Sequence, residues 1–508
     1  MTETQTHTDA TAQPGMAARA GQLQPLAALP VLTPEAWSTC VLAAVNAGGR
    51  LLGLWGWAGH DAVVNMLAVL ALDAAGRLHL YRTTVPAGTA FPSLTPRVPA
   101  AQAFEREIFE SLGVRPEGHP WLKPLLEHAD LEGHSSDRGG YEFFRVEGPG
   151  IHEVAVGPVH AGIIEPGHFR FQCSGETVLH LEIQLGYQHR GAEALMLGTS
   201  PARRLAIAES IAGDTVLGHA TAYCEATESL AGTEVPPRAQ ALRALALELE
   251  RVANHAGDLG ALCGDVGYLP GASYFGRLRG EFLNLLLELS GNRFGRGLVV
   301  PGGVRFDLDE GRRATFGRRL ASAQRDFEEI ADLVFSAPSV LSRFEQAGPL
   351  SREASEQLGL VGPVARASGC ARDVRVDHPS GFYRFAHIPV AHLDGGDVFA
   401  RAMVRRIEAR RSIGFVREEI DRLPAGALAA PVGPLAADAL AIALVEGWRG
   451  EIAHLAVTDV RSALHTYRIA DPSLHNWFGL ALAMRGQQIS DFPLCNKSFN
   501  LSYAGHDR

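Results

Sequence analysis

Several long stretches in the middle of the chain repeat their apolar residues with the 3.6-residue period of an α-helix, and most of them lack a wholly polar face. They span residues 200–230, 237–262, 274–290 and 311–345, with a further one at 397–422. A helix that is apolar on most sides has to be surrounded by other elements. The sequence therefore predicts a buried helical bundle.

Segments with the character of strands lie on both sides of this bundle, at 143–146, 152–156, 168–173 and 178–185 before it and at 440–470 after it. Nearer the start, helices at 37–46 and 100–112 alternate with strands at 63–72 and 78–84. We therefore predict an α+β protein. Its expected parts are a disordered tail (1–30), a small α/β domain (31–130), a linker (131–150) and a large bundle-centred domain (151–508).

The charge balance excludes one class of partner. The chain has 46 Lys and Arg against 56 Asp and Glu, a net charge of −10. Nucleic acid is not expected as a partner, because a phosphate backbone requires a basic face. No targeting segment is expected either. The most apolar later stretch, 423–445, contains Pro424, Pro431, Pro434 and Asp438, so no span of a membrane is predicted.

The six cysteines are far apart, and no two of them form a CxxC pair. Zinc ribbons, ferredoxin-type clusters and thioredoxin-like motifs all require such close pairs. Widely spaced cysteines in a long chain are typical of buried free thiols, which indicates a cytoplasmic protein.

Short blocks of glycine, proline, histidine and charged residues follow one another along the chain. They include Gly157-Pro-Val-His160, Glu165-Pro-Gly-His168-Phe-Arg170, Leu185-Gly-Tyr-Gln-His189-Arg190, Leu249-Glu-Arg251-Val-Ala-Asn254-His255, and Gly362-Pro-Val-Ala-Arg366 with Arg372-Asp373. In this order they resemble the large-subunit fold shared by nickel–iron hydrogenases and respiratory complex I. The earlier blocks Phe91-Pro-Ser-Leu-Thr-Pro and Glu117-Gly-His119-Pro resemble the complex I small subunit. The chain thus looks like the fused large subunit of formate hydrogenlyase and hydrogenase-4-like enzymes.

The main departure from this family concerns its metal ligands. The hydrogenases hold nickel and iron with four cysteines, two in R-x-C-G-x-C-x-x-x-H and two in a C-terminal D-P-C-x-x-C-x-x-R. Here Ala212 and Thr215 stand at the first pair of cysteine positions, before His219, while Ser502 and Gly505 stand at the second pair. Because the bimetallic centre needs soft sulfur ligands, we expect no metal in this chain.

Without the metal, the resemblance implies the quinone pocket of complex I, which needs an apolar slot and proton donors at the headgroup. His160 and His168 both remain eligible as the headgroup histidine. Glu165, Asp214, His219, Arg366 and Asp373 are expected to line the pocket. Each also has a structural alternative: a solvated carboxylate, a core histidine or a salt bridge.

The resemblance further implies a nickel-free, NADH:quinone oxidoreductase-like subunit, active only in its assembled complex, with NAD(P)H or another donor acting through partners. Its expected neighbours are a small subunit that carries an iron–sulfur cluster and antiporter-like membrane subunits. Quinone is the expected substrate, and the expected location is the inner face of the cell membrane. The alternative is an interaction subunit without redox chemistry that transmits conformational change between partners.

One helix carries a polar stripe beside its apolar stripe. Glu248, Arg251, His255 and Asp258 recur at helical spacing within 237–262. Acids and bases at this spacing form either a buried proton relay or an ion-pair network that locks two helices together. The sequence leaves both interpretations open.

Overall fold

The computed structural model describes residues 15–59, 61–126, 141–160 and 164–508. Its first part is rich in strands. In chain order it contains β1 (Met16–Ala18), β2 (Leu23–Pro25), β3 (Val31–Leu32), α1 (Pro34–Asn46), β4 (Arg50–Ala58), β5 (Val63–Leu72), β6 (Arg77–Pro86), β7 (Ala90–Pro92), α2 (Gln102–Leu112) and β8 (Arg115–Glu117).

The middle part begins with a three-stranded sheet and continues into helices. Its elements are β9 (Ile151–Val156), β10 (His168–Ser174), β11 (Thr177–Gln184), α3 (Ala192–Leu195), α4 (Pro201–Ala208), α5 (Val216–Ala231), α6 (Pro237–Asp265), α7 (Leu269–Ser290), β12 (Val299–Val300), β13 (Gly303–Val304) and α8 (Glu310–Val334).

The last part contains α9 (Pro338–Phe344), α10 (Arg352–Gln357), α11 (Gly362–Ala367), α12 (Val374–Asp377), α13 (Val398–Asp421), β14 (Ala439–Gly447), β15 (Gly450–Thr458), β16 (Leu464–Ala470), α14 (Pro472–Ala483), α15 (Phe492–Phe499) and α16 (Tyr503–Asp507). The predicted α+β class is confirmed, with a sheet-based first part and a large part built around helices.

The first part is a sheet with strand order β1-β6-β5-β4, in which β3 pairs with β6 in parallel. Strands β5 and β6 run antiparallel from Val63 opposite Pro86 to Leu72 opposite Arg77. The indole of Trp37 on α1 is fully buried and donates to the carbonyl of Tyr81 at 3.0 Å. This bond anchors α1 to the sheet.

The tail predicted over residues 1–30 is wrong for its second half. Strand β1 pairs with β6, and β2 pairs with β14 through Leu23, Gln24 and Pro25 opposite Ala441, Leu440 and Ala439. These short strands form hydrogen bonds with the backbone groups of β6 and β14, which would otherwise be unpaired at the edges of their sheets. The high content of Thr, Ala, Gln, Pro and Gly in residues 1–30 concealed this role. Residues 1–14 lie outside the described part of the chain.

The C-terminal sheet, ordered β16-β15-β14-β2, joins the two halves of the molecule. Side chains along a strand point alternately to opposite faces. In β14, Ala441, Ala443 and Val445 belong to the core around the helices, whereas Leu440, Ile442 and Leu444 belong to the core of the first part. The sheet is therefore buried on both faces, which explains its nearly continuous apolar sequence.

Helix α6 lies at the centre of the bundle and packs on α7 and α13. Of its 29 residues, 23 are buried, including most of its charged side chains. The predicted helix at 200–230 is in fact two helices, because a loop at residues 209–215 separates α4 from α5. This loop carries Gly213, Asp214 and Thr215.

The first ten residues of the predicted linker at 131–150, residues 131–140, lie outside the described part of the chain. From 141 to 150 it forms neither helix nor strand, so the strand expected at 143–146 is wrong. Its backbone is tied down by a side chain instead, since Phe144 donates from its N–H to Glu182 at 2.8 Å.

Candidate functional site

Two histidines cross-link the loop between β9 and β10. His168 donates from Nδ1 to the carbonyl of Gly157 at 3.2 Å and accepts at Nε2 from Arg170, also at 3.2 Å. His160 bonds the carbonyl of Gly167 through Nε2 at 3.0 Å. The two rings thus hold the backbone carbonyls of Gly157 and Gly167. The structure describes no bond from either ring to the other predicted pocket residues, and their catalytic role stays a prediction.

The first motif places an ion pair at the start of α5. Both oxygens of Asp214 accept hydrogen bonds from Arg449, at 2.5 and 2.7 Å, and Arg449 also donates to the Thr215 hydroxyl at 3.1 Å. Burial raises the pKa of Asp214, but the Arg449 guanidinium outweighs it and leaves the pKa below its ordinary value. Arg449 lies over the ring of Trp448, 3.9 Å from its centroid. The guanidinium of Arg449 therefore contacts Thr215, the residue at one of the four cysteine positions.

The second motif lies on α16 and in the residues before it. Ser502 caps this helix, since its hydroxyl accepts from the N–H of Gly505 at 2.8 Å. Gly505 lies against Asp471, and a Cβ atom at this glycine would be 2.7 Å from the carboxyl carbon of Asp471. Glu165 accepts from the N–H of Tyr503 at 3.2 Å. The predicted residue Glu165 thus reaches the same helix as the two cysteine positions.

A line of hydrogen bonds between buried side chains starts at Asp471. Its Oδ2 lies 3.0 Å from Nε2 of His219, Nδ1 of His219 lies 3.0 Å from Nε2 of His454, and Nδ1 of His454 lies 2.7 Å from the hydroxyl of Tyr467. All four side chains are at most 2% exposed. We call this set the His219 chain.

The charges of two members set the direction of these bonds. Burial raises the pKa of Asp471, but its bond with His219 and nearby charges bring it down to about 2, so it is ionised. Burial holds the pKa of His454 well below its ordinary value, so His454 is neutral. His219 therefore donates from Nε2 to Asp471. When His219 is neutral, its Nδ1 accepts from His454, which in turn accepts from Tyr467.

Arg366 and Asp373 belong to a different cluster, a buried network of ion pairs between α6, α11, α12, α13 and β14. Its buried members are Glu248, Arg251, His255, Arg366, Asp373, Arg375, Glu408, Ser412 and Glu446. Arg366 donates to Glu408 at 2.7 Å and to Glu446 at 2.8 Å, while Arg375 donates to Asp373 at 2.6 Å. In the described structure Arg366 and Asp373 thus form salt bridges, which is the alternative to a place in the lining of the predicted pocket.

The same network includes the polar stripe of α6, for which the sequence left a proton relay and an ion-pair network open. Glu248 accepts from Arg251 at 3.1 Å and from Arg375 at 2.9 Å, and His255 bonds Glu408 at 2.9 Å. Asp258, at the end of the stripe, accepts from Arg405 at 2.6 Å. The stripe is therefore an ion-pair network that joins α6 to α12 and α13.

Acid should weaken this network in a defined pH range. Burial raises the pKa of Glu248, but Arg375 and Arg251 bring it from 4.5 down to about 2. Because the folded protein binds this proton less readily than the unfolded chain, the stabilising contribution is complete above pH 4.5 and disappears as the pH falls towards 2. We expect the free energy of unfolding to drop by on the order of 3 kcal/mol from this group alone.

Urea unfolding at pH 7, 4.5 and 2 measures this dependence. Glu248→Gln should flatten it, whereas Glu353→Gln on the exposed face of α10 should leave it as in the wild type. Equal acid sensitivity of the wild type and Glu248→Gln would contradict the assignment.

Sequence reasoning missed four residues of the site: Arg449, His454, Tyr467 and Asp471. Only Asp471 has a local signal, because an Asp before a proline predicts a helix N-cap, and its Oδ1 does accept from Ser473 N–H at 2.7 Å. His454 and Tyr467 lie within an alternating strand pattern that does not distinguish them from core residues. They become functional candidates only when the sheet packs on α5.

The described residues include no helix long and apolar enough to cross a membrane. In the same part of the chain, no group of three or more His, Cys, Asp or Glu side chains is arranged to hold a metal ion. All six cysteines are free.

Comparisons with known proteins agree with the two-part architecture. Residues 38–138 match the family described as the 30 Kd subunit of respiratory-chain NADH dehydrogenase. Residues 265–439 match the family of its 49 Kd subunit.

Formate hydrogenlyase subunit 5 of Escherichia coli is 31% identical over 82% of this chain and 77% of its own length. The carbon monoxide-induced hydrogenase of Rhodospirillum rubrum is 35% identical over 68% of this chain and 96% of its own. A chain of the membrane-bound sulfane sulfur reductase, an archaeal respiratory membrane complex, shares the fold with a TM-score of 0.66 at 24% identity, covering 70% of this chain and 98% of that one. The resemblance predicted from the motifs is thus confirmed, and the chain belongs to the family of oxidoreductase subunits that unites membrane-bound hydrogenases with complex I, in the form that fuses the 30- and 49-kDa parts.

Proposed function

We propose that this chain is a nickel-free, catalytic-type subunit of a membrane-attached oxidoreductase related to complex I, and that it passes electrons from a partner subunit to a quinone-type acceptor. The observation that carries this proposal is the state of the four cysteine positions. They hold Ala212, Thr215, Ser502 and Gly505, and their surroundings are engaged in other contacts.

The residues at these positions do not fit a nickel–iron centre. Such a centre needs soft thiolate ligands, whereas the four side chains offer two hydroxyls at most. The Thr215 hydroxyl accepts from Arg449 at 3.1 Å, and that of Ser502 caps α16. A guanidinium that touches a ligand position also opposes the binding of metal cations. If this chain takes part in catalysis, its substrate is therefore not held by a nickel atom.

The His219 chain supports a role in proton transfer beside the same positions. Reduction of a quinone takes up two electrons and two protons, so the site needs proton donors that recharge. A proton that arrives at Tyr467 can move along this chain: the Tyr467 hydroxyl gives its proton to Nδ1 of His454, His454 gives its Nε2 proton to Nδ1 of His219, and the arriving proton restores the hydroxyl. Transfer of the protons in the opposite direction restores the first arrangement. The His219 chain can thus hold a proton next to Asp471 and Gly505 without movement of the backbone.

The relatives support a wider complex around this chain, since their names describe subunits. Formate hydrogenlyase, membrane-bound hydrogenase and complex I are all assemblies of several subunits. We propose a small partner that carries an iron–sulfur cluster as the electron donor to this chain, and antiporter-like membrane subunits that anchor the assembly at the inner face of the cell membrane. NAD(P)H or another donor would act through these partners.

Substitution of His219 tests the proposal in the complex purified from its native membrane. His219→Gln keeps one donor and one acceptor but cannot carry an added proton, so we expect quinone reduction to slow at least tenfold while the complex still assembles. Turnover with short-chain quinones under a fixed electron supply is the measurement. His465→Gln, on the exposed part of β16, is the control that should keep wild-type turnover.

Unchanged turnover in assembled His219→Gln would contradict proton transfer through this histidine. If the wild-type complex reduces no quinone with any donor, the alternative of an interaction subunit without redox chemistry takes first place.

A further inference from the structure

An apolar cavity lies between the first part of the chain, the sheet β9–β11 and α14, and neither Arg449 nor His219 lines it. It has a volume of about 270 Å³. Its apolar lining comes from three places: Trp121 and Leu125 after α2, Leu181 and Ile183 on β11, and Leu474, Trp477, Phe478, Ala481 and Leu482 on α14. Cavities between domains with mostly apolar walls and few polar groups are typical small-molecule sites.

The aromatic walls suit a flat ring. Trp121 and Phe478 face each other across the two parts of the chain with ring centroids 5.9 Å apart. Phe144 is 54% exposed and Phe478 is 39% exposed, so the lining includes accessible side chains beside which a ligand can enter. The volume is slightly below the ~300 Å³ at the lower end for drug-sized ligands, which favours one fused ring system without bulky substituents.

Two charged groups in the lining, Arg106 and Glu182, are already paired. Arg106 donates to the carbonyls of Lys123 and Pro124 at 2.8 and 2.6 Å. Glu182 accepts from Lys123 at 2.6 Å and from the N–H of Phe144 at 2.8 Å. These groups therefore have their main hydrogen bonds without a ligand.

The indole N–H of Trp477 has no such bond. Trp477 is 4% exposed and belongs to the lining, and its Nε1 is a buried donor without a hydrogen-bond partner in the described part of the chain. A buried polar atom without a partner is costly, so a ligand oxygen that accepts from Nε1 would be favoured.

We propose that this cavity binds a planar apolar ring that carries a hydrogen-bonding oxygen, the chemistry common to quinones and ring phenols, with the oxygen accepting from Nε1 of Trp477. His506, which directly follows Gly505, also lines the cavity, so a ligand here would lie beside α16, the helix that contains Gly505. The proposal concerns a site separate from the His219 chain. It does not depend on the proposed electron transfer, since binding is measured on the chain alone.

Calorimetric titration of the full chain with three ring compounds tests the proposal. These are 2-naphthol, 2,3-dimethyl-1,4-naphthoquinone, whose substituents block addition of thiols, and naphthalene, which lacks oxygen. We expect one binding site, with the oxygen-bearing rings bound about 3- to 10-fold more tightly than naphthalene. Binding of the quinone but not of the naphthol would restrict the shared chemistry to quinones, and the reverse would restrict it to phenols.

Two variants locate the site. Ala481→Trp should fill the cavity and abolish saturable binding, while Ala202→Trp, at an exposed position of α4, should leave it unchanged. Trp477→Phe should keep naphthalene binding and remove the advantage of the oxygen-bearing rings. No saturable binding to the wild type, or binding that survives Ala481→Trp, would overturn the proposal.

Discussion

Replacement of Arg366 by methionine should lower the free energy of unfolding by about 3–5 kcal/mol, the largest effect that we expect from one substitution. Arg366 is fully buried and bridges Glu408 and Glu446. Burial already raises the pKa of Glu446 to about 7, even with Arg366 beside it. Without the guanidinium, two buried carboxylates lose their shared cation, and the penalty of burying charge is no longer offset.

Urea unfolding at pH 7 measures this effect. Arg352→Met is the matched control, because Arg352 pairs with Glu356 on α10 at a side-chain exposure of 68%, and its urea midpoint should not move. An Arg366→Met midpoint equal to that of the wild type would show that the network contributes little. The double variant Arg366→Met with Glu408→Gln should recover part of the loss, since it removes one unpaired charge.

Gly505→Ala should destabilise the protein by about 1–3 kcal/mol through overpacking. The added Cβ would lie 2.7 Å from both the carboxyl carbon and Oδ2 of Asp471. This carboxylate is held by His219 and by the backbone of Ser473, so it cannot move without breaking a bond. A cysteine at position 505, as in the hydrogenases, meets the same obstacle.

Gly213→Ala provides the control for this prediction. Gly213 lies in the first motif, and a Cβ there meets no atom within 4 Å. Its thermal midpoint should match that of the wild type, whereas the Gly505→Ala midpoint should fall. Equal midpoints for the two variants would mean that Asp471 is free to move, and that Gly505 does not exclude a side chain.

Periodicity in the sequence was sufficient to predict the helices of the bundle and the strands β5, β6, β9 to β11 and β14 to β16, but it missed β4 and α14. The stretches predicted at 237–262 and 397–422 correspond to α6 and α13, and the strand predicted at 63–72 is β5. Periodicity failed where tertiary pairing decides the structure. Strands β1 and β2 form because the edges of other sheets need partners, and nothing local in residues 15–30 indicates this.

The candidate site was predictable where a motif marks it. The motifs identified Asp214, His219 and the four replaced cysteine positions. They did not identify Arg449, which follows a hairpin strand more than 200 residues after its partner Asp214. Ion pairs between distant segments depend on topology, so the local pattern around Arg366 and Asp373 did not distinguish a pocket from a buried network.

Nickel content tests whether this chain lacks a nickel site. The complex should be purified from its native membrane through a tag on this chain, and nickel and iron should be measured per chain. We expect iron from partner clusters together with nickel far below one atom per chain. One nickel atom per chain, retained after dialysis against chelator, would contradict the claim that Ala212, Thr215, Ser502 and Gly505 leave no nickel site.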